Sequence, residues 1–227
     1  MNPPPPIKVR RATSDDIAVI SHILASSFAA LFRAEFGLRQ AEVTSLLADL
    51  YHQGVLSLAK VRVAEWSGEP VGVVVLSLPP DRDRAAAPRG LMSAWPVFRT
   101  RMGWKGALRA AIGSSLMRYY FGGRTPVSGE AYIDSLAVEE SARRQGVGKA
   151  LVEASCDAAR ESGCREIALH VLRSRSGARS LYESCGFREE PERRILARIS
   201  DTVSAAAERL LRRPADDQRS ILMVRRL

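Results

Sequence analysis

The sequence is poor in the residues that build disulfide frameworks and metal centres. Its 227 residues include three cysteines and three histidines, and no two cysteines form a C-x-x-C pair. An odd, scattered set of cysteines excludes a disulfide scaffold, and the isolated histidines give no metal-ligand spacing. We therefore expect no metal and a reducing, cytoplasmic environment.

Long apolar segments are also lacking. The first residues, MNPPPPIKVRR, contain no apolar core of a secretory signal. No run of about 18 apolar residues follows, so we expect no transmembrane helix and no membrane partner. The chain also has no internal repeat. At this length, one domain over residues 1–227 is the simplest expectation.

The composition is that of a globular protein with an unusual basic excess. Hydrophobic residues make up 46% and charged residues 26%, but Lys and Arg exceed Asp and Glu by 34 to 25. Most of the excess is arginine, whose planar guanidinium suits phosphate and carboxylate groups. An anionic ligand, an acidic partner and nucleic acid all fit this charge. Because the arginines are spread along the chain, we expect no nucleic-acid partner.

Hydrophobic periodicity and capping signals predict an α/β chain of the α+β type. The N-terminal half predicts a strand, two helices and a strand hairpin, at residues 7–11, 13–28, 41–51, 60–66 and 70–78. The C-terminal half predicts a strand, helix, strand, helix and closing strand, at residues 131–138, 148–161, 165–171, 176–184 and 221–224. The strand–helix–strand unit implies one parallel pair.

Two further segments interrupt this pattern. A helical insertion at about residues 80–125 precedes the fourth strand and carries many of the aromatic residues between 91 and 123. It is interpreted as a helix packed on the domain, with a lid over a pocket or a dimer surface as alternatives. A C-terminal helix and strand are expected at about residues 199–227.

The turn before the long helix is the strongest functional signal. It places Arg143, Gly146 and Gly148 at a helix start. Free backbone N–H groups and the helix dipole make such a start an anion site. A dinucleotide fingerprint needs a third glycine where Leu151 stands, and a P-loop needs Ser or Thr where Ala150 stands. Both common nucleotide motifs are therefore absent.

Two motifs together resemble the GCN5-related N-acetyltransferase (GNAT) superfamily. The first is R-x-x-G-x-G at residues 143–148, which is similar to the family's motif A. The second is A-x-x-L-Y-x-x-x-G-F at residues 178–187. The resemblance is close over residues 130–190 and loose over residues 7–78. It implies a mixed, mostly antiparallel sheet with flanking helices, whose parallel central pair is splayed by a bulge.

The resemblance further implies acetyl-coenzyme A as cosubstrate. The pantetheine arm pairs with the fourth strand like an added strand, and the turn holds the pyrophosphate. The residues implied in this binding are Leu136, Ala137, Val138, Arg143, Arg144, Gln145, Gly146, Val147, Gly148, Lys149, Arg175 and Tyr182. Arg175 replaces an asparagine common in the family, and it is interpreted as a contact to the 3′-phosphate or as an exposed arginine.

Catalytic roles are implied for two residues. Tyr182 matches the tyrosine that protonates the departing thiolate. Asp134, a carboxylate within an apolar strand, falls where some members place a general base, and an anchor for the acceptor is a second role for it. Glu130 is the reserve candidate for the base, and a partner for an arginine or a polar strand residue is the structural alternative for Asp134. We interpret His170 as a core residue and Cys185 as buried filler.

The function implied is direct acetyl transfer from acetyl-coenzyme A to a primary amine, on a small molecule or a peptide. A monomer or a homodimer would both serve. Two alternatives remain from other classes, namely a regulatory module that binds acyl-coenzyme A without turnover and, with less support, a basic protein that binds nucleic acid.

Overall fold

A mixed β-sheet organises the part of the chain that the computed structural model describes, which is residues 6–79, 95–101, 103–104, 129–190 and 220–227. The strands are β1 Lys8–Arg11, β2 Val61–Trp66, β3 Glu69–Ser77, β4 Glu130–Val138, β5 Glu166–Leu172, β6 Arg188–Glu189 and β7 Ser220–Arg226. Their order is β1-β2-β3-β4-β5-β7-β6. Among these strands, β4 and β5 form a parallel pair and the other neighbours are antiparallel. This confirms the predicted sheet.

Besides a helical stretch at residues 95–101, the helices in this part of the chain are α1 Ile17–Ser27, α2 Ala29–Phe36, α3 Gln40–His52, α4 Val147–Glu161 and α5 Ser176–Ser184. Helices α1, α3, α4 and α5 match predicted helices, but α2 was missed, because the sequence analysis assigned no element between residues 28 and 41. Gly37 ends α2 in the left-handed conformation (φ 69°), which is a common helix stop.

The described beginning of the insertion packs on α3. Residues 95–101 are helical, and Val97 is buried against Leu46 and Leu50. Arg101 donates to Asp49 over 2.5 Å and fastens the same contact. This supports the interpretation of a helix packed on the domain for these residues. Residues 80–94, 102 and 105–125 of the insertion and the predicted helix at 199–213 lie outside the described residues.

Alternation along the strands gives the sheet two distinct faces. On one face, Ile133 and Leu169 pack with Leu151 and its neighbours on α4. On the other, Val73 and Ala137 pack against Ile20 and Ile23 of α1, so α4 and α1 cover opposite sides of the central strands.

A charged cluster fastens β1 to the start of α1. Arg10 donates to both carboxylate oxygens of Asp16, at 2.6 and 2.8 Å, and to Glu65 on β2 at 2.5 Å. The Thr13 backbone N–H donates to Asp16 as well, at 2.8 Å. The Arg10 guanidinium, together with that N–H group, lowers the pKa of Asp16 to about 2.

This lowered pKa predicts a stability difference that disappears in acid. The ionised Asp16 stabilises the folded state above the unfolded pKa of about 3.9, and the contribution is lost as pH falls towards about 2. Arg10→Met should therefore unfold in urea with about 2 kcal/mol less stability than wild type near pH 7. Near pH 2.5, between the two pKa values, the deficit should shrink to about a third of its size near pH 7.

The exposed pair Arg39–Glu42 supplies the control, since the Arg39 side chain is 81% exposed. Arg39→Met should have the same free energy of unfolding as wild type at both pH values. An Arg10→Met deficit of the same size near pH 2.5 as near pH 7 would contradict the assignment to Asp16.

Candidate functional site

The parallel pair β4 and β5 opens partway along its length. Register runs from Glu130 opposite Glu166 to Ile133 opposite Leu169, and in the described residues no pair follows, although both strands continue. On the other side of β4, Val75 faces Ser135 and Leu76 faces Ile133. Asp134 is therefore an extra residue, and such a bulge bends and twists its strand. The bulge accounts for the divergence and confirms the predicted splayed pair.

A turn rich in exposed cations leads from β4 into α4. Gly146 caps the helix with φ 87°, and Arg144 also has a positive φ of 65°. Left-handed backbone costs a non-glycine residue about 1–2 kcal/mol, and such strain clusters at functional sites. Arg143 donates from Nε to the carbonyl oxygen of Val138 over 3.3 Å. Arg143, Arg144 and Lys149 are exposed around the helix start, so the turn has the charge of an anion site.

Two glycines permit close packing around α4. A Cβ on Gly148 would lie 3.0 Å from Leu181 Cδ2, and a Cβ on Gly72 would lie 2.8 Å from Val147 Cγ1. Gly148 thus lets α5 approach α4, a packing role that sequence analysis did not assign to it. Gly72 was missed altogether, although a glycine inside a buried strand signals a close approach.

Tyr182 lies on α5, on the same side of the sheet as α4. Its side chain is 7% exposed, and its ring centroid lies 5.9 Å from that of Phe187 at a tilt of 58°. Burial raises the pKa of Tyr182 to about 12, so the hydroxyl keeps its proton at neutral pH. Cys185 is buried as predicted, and burial raises the pKa of its thiol too.

Asp134, the bulge residue, is held by a chain of polar side chains. The Ser77 hydroxyl donates to Asp134 Oδ2 over 2.6 Å, and Lys60 Nζ donates to Ser77 Oγ over 3.0 Å. Sequence analysis missed Ser77 and Lys60. Glu130, the reserve candidate, is buried at the closed end of the parallel pair. It stands four residues from Asp134, or about 13 Å along an extended strand.

A tyrosine–histidine contact lies next to the last pair of the parallel ladder, Ile133 and Leu169. The Tyr132 hydroxyl and His170 Nδ1 are 2.6 Å apart, and their ring centroids are 5.9 Å apart. Tyr132 is 1% exposed, whereas His170 is half-buried. His170 is therefore a polar residue with a defined contact, and its interpretation as core is incomplete.

Arg175 stands at the start of α5. Its backbone carbonyl accepts from the N–H groups of Ala178 and Arg179 at 3.1 and 3.0 Å. Its side chain is exposed, in agreement with one of the two interpretations above. Arg175 stands three residues after the end of β5, whereas the cationic turn follows β4, the other strand that borders the opening.

Two searches of the described ranges gave negative results. None of the helices there is both long enough and apolar enough to cross a bilayer. The same ranges hold no group of three His, Cys, Asp or Glu side chains placed to bind a metal ion.

Comparison with protein families gives a match over most of the chain. The model of the acetyltransferase (GNAT) family matches residues 27–187. The chain is 41% identical over 61 residues to GCN5-related N-acetyltransferase 4, chloroplastic, of Arabidopsis thaliana, covering 27% of this chain and 21% of that protein. It is 40% identical over 65 residues to the ribosomal protein bS18 alanine N-acetyltransferase of Escherichia coli K12. That match covers 29% of this chain and 44% of the relative, so the chain spans less than half of these relatives.

Solved structures share the fold over nearly the whole chain. A crystal structure described as an acetyltransferase superposes with a TM-score of 0.60 at 21% identity, covering 96% of this chain and 98% of that one. The PaiA N-acetyltransferase of Thermoplasma acidophilum, solved with coenzyme A, superposes with a TM-score of 0.53 at 12% identity. Coverage there is 98% and 99%. At these identities the likeness concerns the fold.

Proposed function

The chain belongs to the GNAT acetyltransferase family, and on that premise we propose that it transfers an acetyl group from acetyl-coenzyme A to a primary amine. The single observation that carries the proposal is the opening between β4 and β5 beside a cationic helix start. The opening suits a linear polar chain, and the helix start suits its phosphates. The opening borders β4, and the turn that leads to the helix start follows the end of β4.

The pantetheine arm would lie in the opening as an added strand. Beyond Asp134, the backbone of Leu136, Ala137 and Val138 runs along the side of β4 that β5 leaves. An amide-bearing chain entering there would gain main-chain hydrogen bonds, as in other cases of strand addition. Val138 leads directly to the turn, so an arm bound in this way would bring its pyrophosphate there.

The turn would hold the pyrophosphate through its backbone. Gly146, Val147, Gly148 and Lys149 form the first turn of α4 and its cap, and N–H groups at this position have no partner within a helix. Exposed arginines and Lys149 add charge, with Arg143, Arg144 and Gln145 in the approach to the helix. Arg175 would reach the 3′-phosphate from across the opening.

The reaction would be a direct transfer with Tyr182 as general acid. The amine nitrogen forms a bond to the thioester carbonyl carbon, and the C–S bond breaks with its electron pair on sulfur. The sulfur takes a proton from the Tyr182 hydroxyl and leaves as the thiol. The amide nitrogen loses a proton, which restores the tyrosine through solvent. Holding both reactants in one cleft supplies much of the rate enhancement.

Asp134 would hold the acceptor as a cation. Ser77, itself 4% exposed, fixes one carboxylate oxygen at 2.6 Å. A hydrogen bond donated to the charged form stabilises the carboxylate, which suits it to bind an ammonium group. Lys60 orients Ser77 in turn. A structural role for Asp134 in fastening the bulge to β3 is the alternative.

An assay of thiol release would test the function. Acetyl-coenzyme A should release thiol only with an amine acceptor, and the panel should include peptide α-amines, lysine, polyamines and aminoglycosides. A peptide with N-terminal alanine comes first, because the Escherichia coli relative acetylates an alanine of ribosomal protein bS18. Binding of acetyl-coenzyme A without release over the panel would favour the regulatory module, and salt-dependent binding of DNA or RNA would favour the nucleic-acid alternative.

The hold on Asp134 gives a quantitative prediction. Asp134→Asn should raise KM for the amine about tenfold, which equals about 1.4 kcal/mol of lost attraction. Ser77→Ala should raise it about threefold, because the carboxylate stays but loses its fixed orientation. Steady-state kinetics measure KM for the amine in each variant. Ser45→Ala, which changes an exposed serine on α3, is the control and should keep the wild-type KM. Wild-type KM in Asp134→Asn would rule out the anchor.

A further inference from the structure

We propose that His170, oriented by Tyr132, is a catalytic residue that removes the proton from the acceptor ammonium. The inference rests on the proposed acetyl transfer and deepens it, because it assigns the proton acceptor that amine attack requires. The two sequence motifs, at residues 143–148 and 178–187, do not include this pair.

His170 stands where the two central strands separate. Ile133 and Leu169 form the last pair of the parallel ladder, so Asp134 and His170 are the next residues on β4 and β5. They face each other across the beginning of the opening. A group at this position borders the place where the pantetheine arm would end and its thioester would lie.

The side chains concerned share one face of the sheet. Leu169 and Val171 pack in the core beneath α4, so His170 between them points to the opposite face. By the same alternation Tyr132, between Ala131 and Ile133, points with it, and the 2.6 Å contact between the two side chains agrees. Tyr182 packs on the α4 face. Tyr182 and His170 thus lie on opposite sides of the strands, so the group that protonates the sulfur and the group that accepts the ammonium proton are separate.

Ser77 brings Asp134 to the same face as His170. Leu76 packs beneath α4, so Ser77, the next residue, points to the other side. Its hydroxyl holds the Asp134 carboxylate there. An ammonium group bound by Asp134 is therefore presented to the face from which His170 projects.

The contact with Tyr132 accommodates the tautomer that a general base requires. When His170 Nδ1 carries the hydrogen and donates it to the Tyr132 oxygen, Nε2 carries the lone pair. The ammonium then gives one proton to Nε2, its bonding electron pair stays on nitrogen, and the imidazole becomes imidazolium. The neutral amine attacks the thioester, and the imidazolium releases its proton to solvent.

The division of roles between the two polar groups follows from their chemistry. An imidazole is intrinsically the stronger base, with a reference pKa of about 6.5 against about 3.9 for an aspartate. The hydrogen bond from Ser77 favours a charged Asp134. Asp134 is thus suited to hold the cation, and His170 is suited to take its proton.

The test uses the full chain, acetyl-coenzyme A and the most active amine of the panel, with His170→Ala, His170→Asn and Tyr132→Phe. We expect both His170 variants to lose about 100-fold in kcat, at the lower end of the range of general base catalysis. Their affinity for acetyl-coenzyme A should not change. Added imidazole should restore much of the kcat of His170→Ala, and Tyr132→Phe should lose a smaller factor without rescue. His52→Ala, an exposed histidine on α3, is the control.

Two results would overturn the assignment. One is a kcat within about twofold of wild type in both His170 variants. The other is a loss that imidazole leaves unchanged while acetyl-coenzyme A still binds, which would make His170 structural. Failure of the wild-type protein to release thiol with any amine is a separate result, because it would refute the proposed function itself.

Discussion

Replacing Tyr182 by phenylalanine is expected to lower kcat for acetyl transfer by about a thousandfold, within the range of general acid catalysis. Without the hydroxyl the departing sulfur must leave as a thiolate into a largely buried site, where a charge is poorly solvated. The ring remains, so its contact with Phe187 and the affinity for acetyl-coenzyme A should be kept. Steady-state kinetics and equilibrium binding measure the two quantities separately.

Tyr51 is a matched control for this substitution. It is 6% exposed on α3, and burial raises its pKa to about 12 as well. Tyr51→Phe should retain wild-type kcat. An unchanged kcat in Tyr182→Phe would remove the acid assignment and leave the tyrosine as a packing residue. Because the pKa of Tyr182 is about 12, its hydroxyl stays protonated between about pH 7 and about pH 10. Wild-type kcat should therefore not fall over this range through deprotonation of Tyr182.

Gly146→Val is expected to weaken binding of acetyl-coenzyme A about 100-fold, or about 2.7 kcal/mol. The φ of 87° at Gly146 is strongly unfavourable for a β-branched residue. The chain would have to rearrange at the cap of α4, and the N–H groups of its first turn would no longer converge on one anion. Calorimetric titration with acetyl-coenzyme A measures the loss.

Gly163 separates backbone strain from ligand binding. It follows the other end of α4 with φ 72°, and a Cβ there would meet no atom within 4 Å. Gly163→Val should therefore cost about as much unfolding free energy as Gly146→Val, of the order of 1–2 kcal/mol. Its affinity for acetyl-coenzyme A should equal that of wild type. An equal loss of affinity in both variants would show that general destabilisation, and not the turn, weakens binding.

Sequence patterns predicted those features that depend on neighbouring residues. The helix start at Gly146 and the strand before it are local, and so are the caps and the hairpin. A motif with fixed spacing, such as residues 143–148 or 178–187, also predicts which element of the fold its residues form. From these signals the sequence predicted the strand order around the parallel pair and the helices α4 and α5.

The polar contacts of the site were beyond the reach of these patterns, because they join distant residues. Lys60 and Ser77 are 17 positions apart, Ser77 and Asp134 are 57 apart, and Tyr132 and His170 are 38 apart. Their meeting depends on strand register, which a single bulge residue shifts. Only the assembled sheet brings them together.

Titration of the full-length protein with acetyl-coenzyme A, monitored by calorimetry, tests the central claim most directly. We predict saturable binding at one site per chain that weakens in Gly146→Val and persists in Gly163→Val and Tyr182→Phe. The absence of any binding to the wild-type protein would contradict the assignment of the β4–β5 opening and the α4 turn as an acetyl-coenzyme A site.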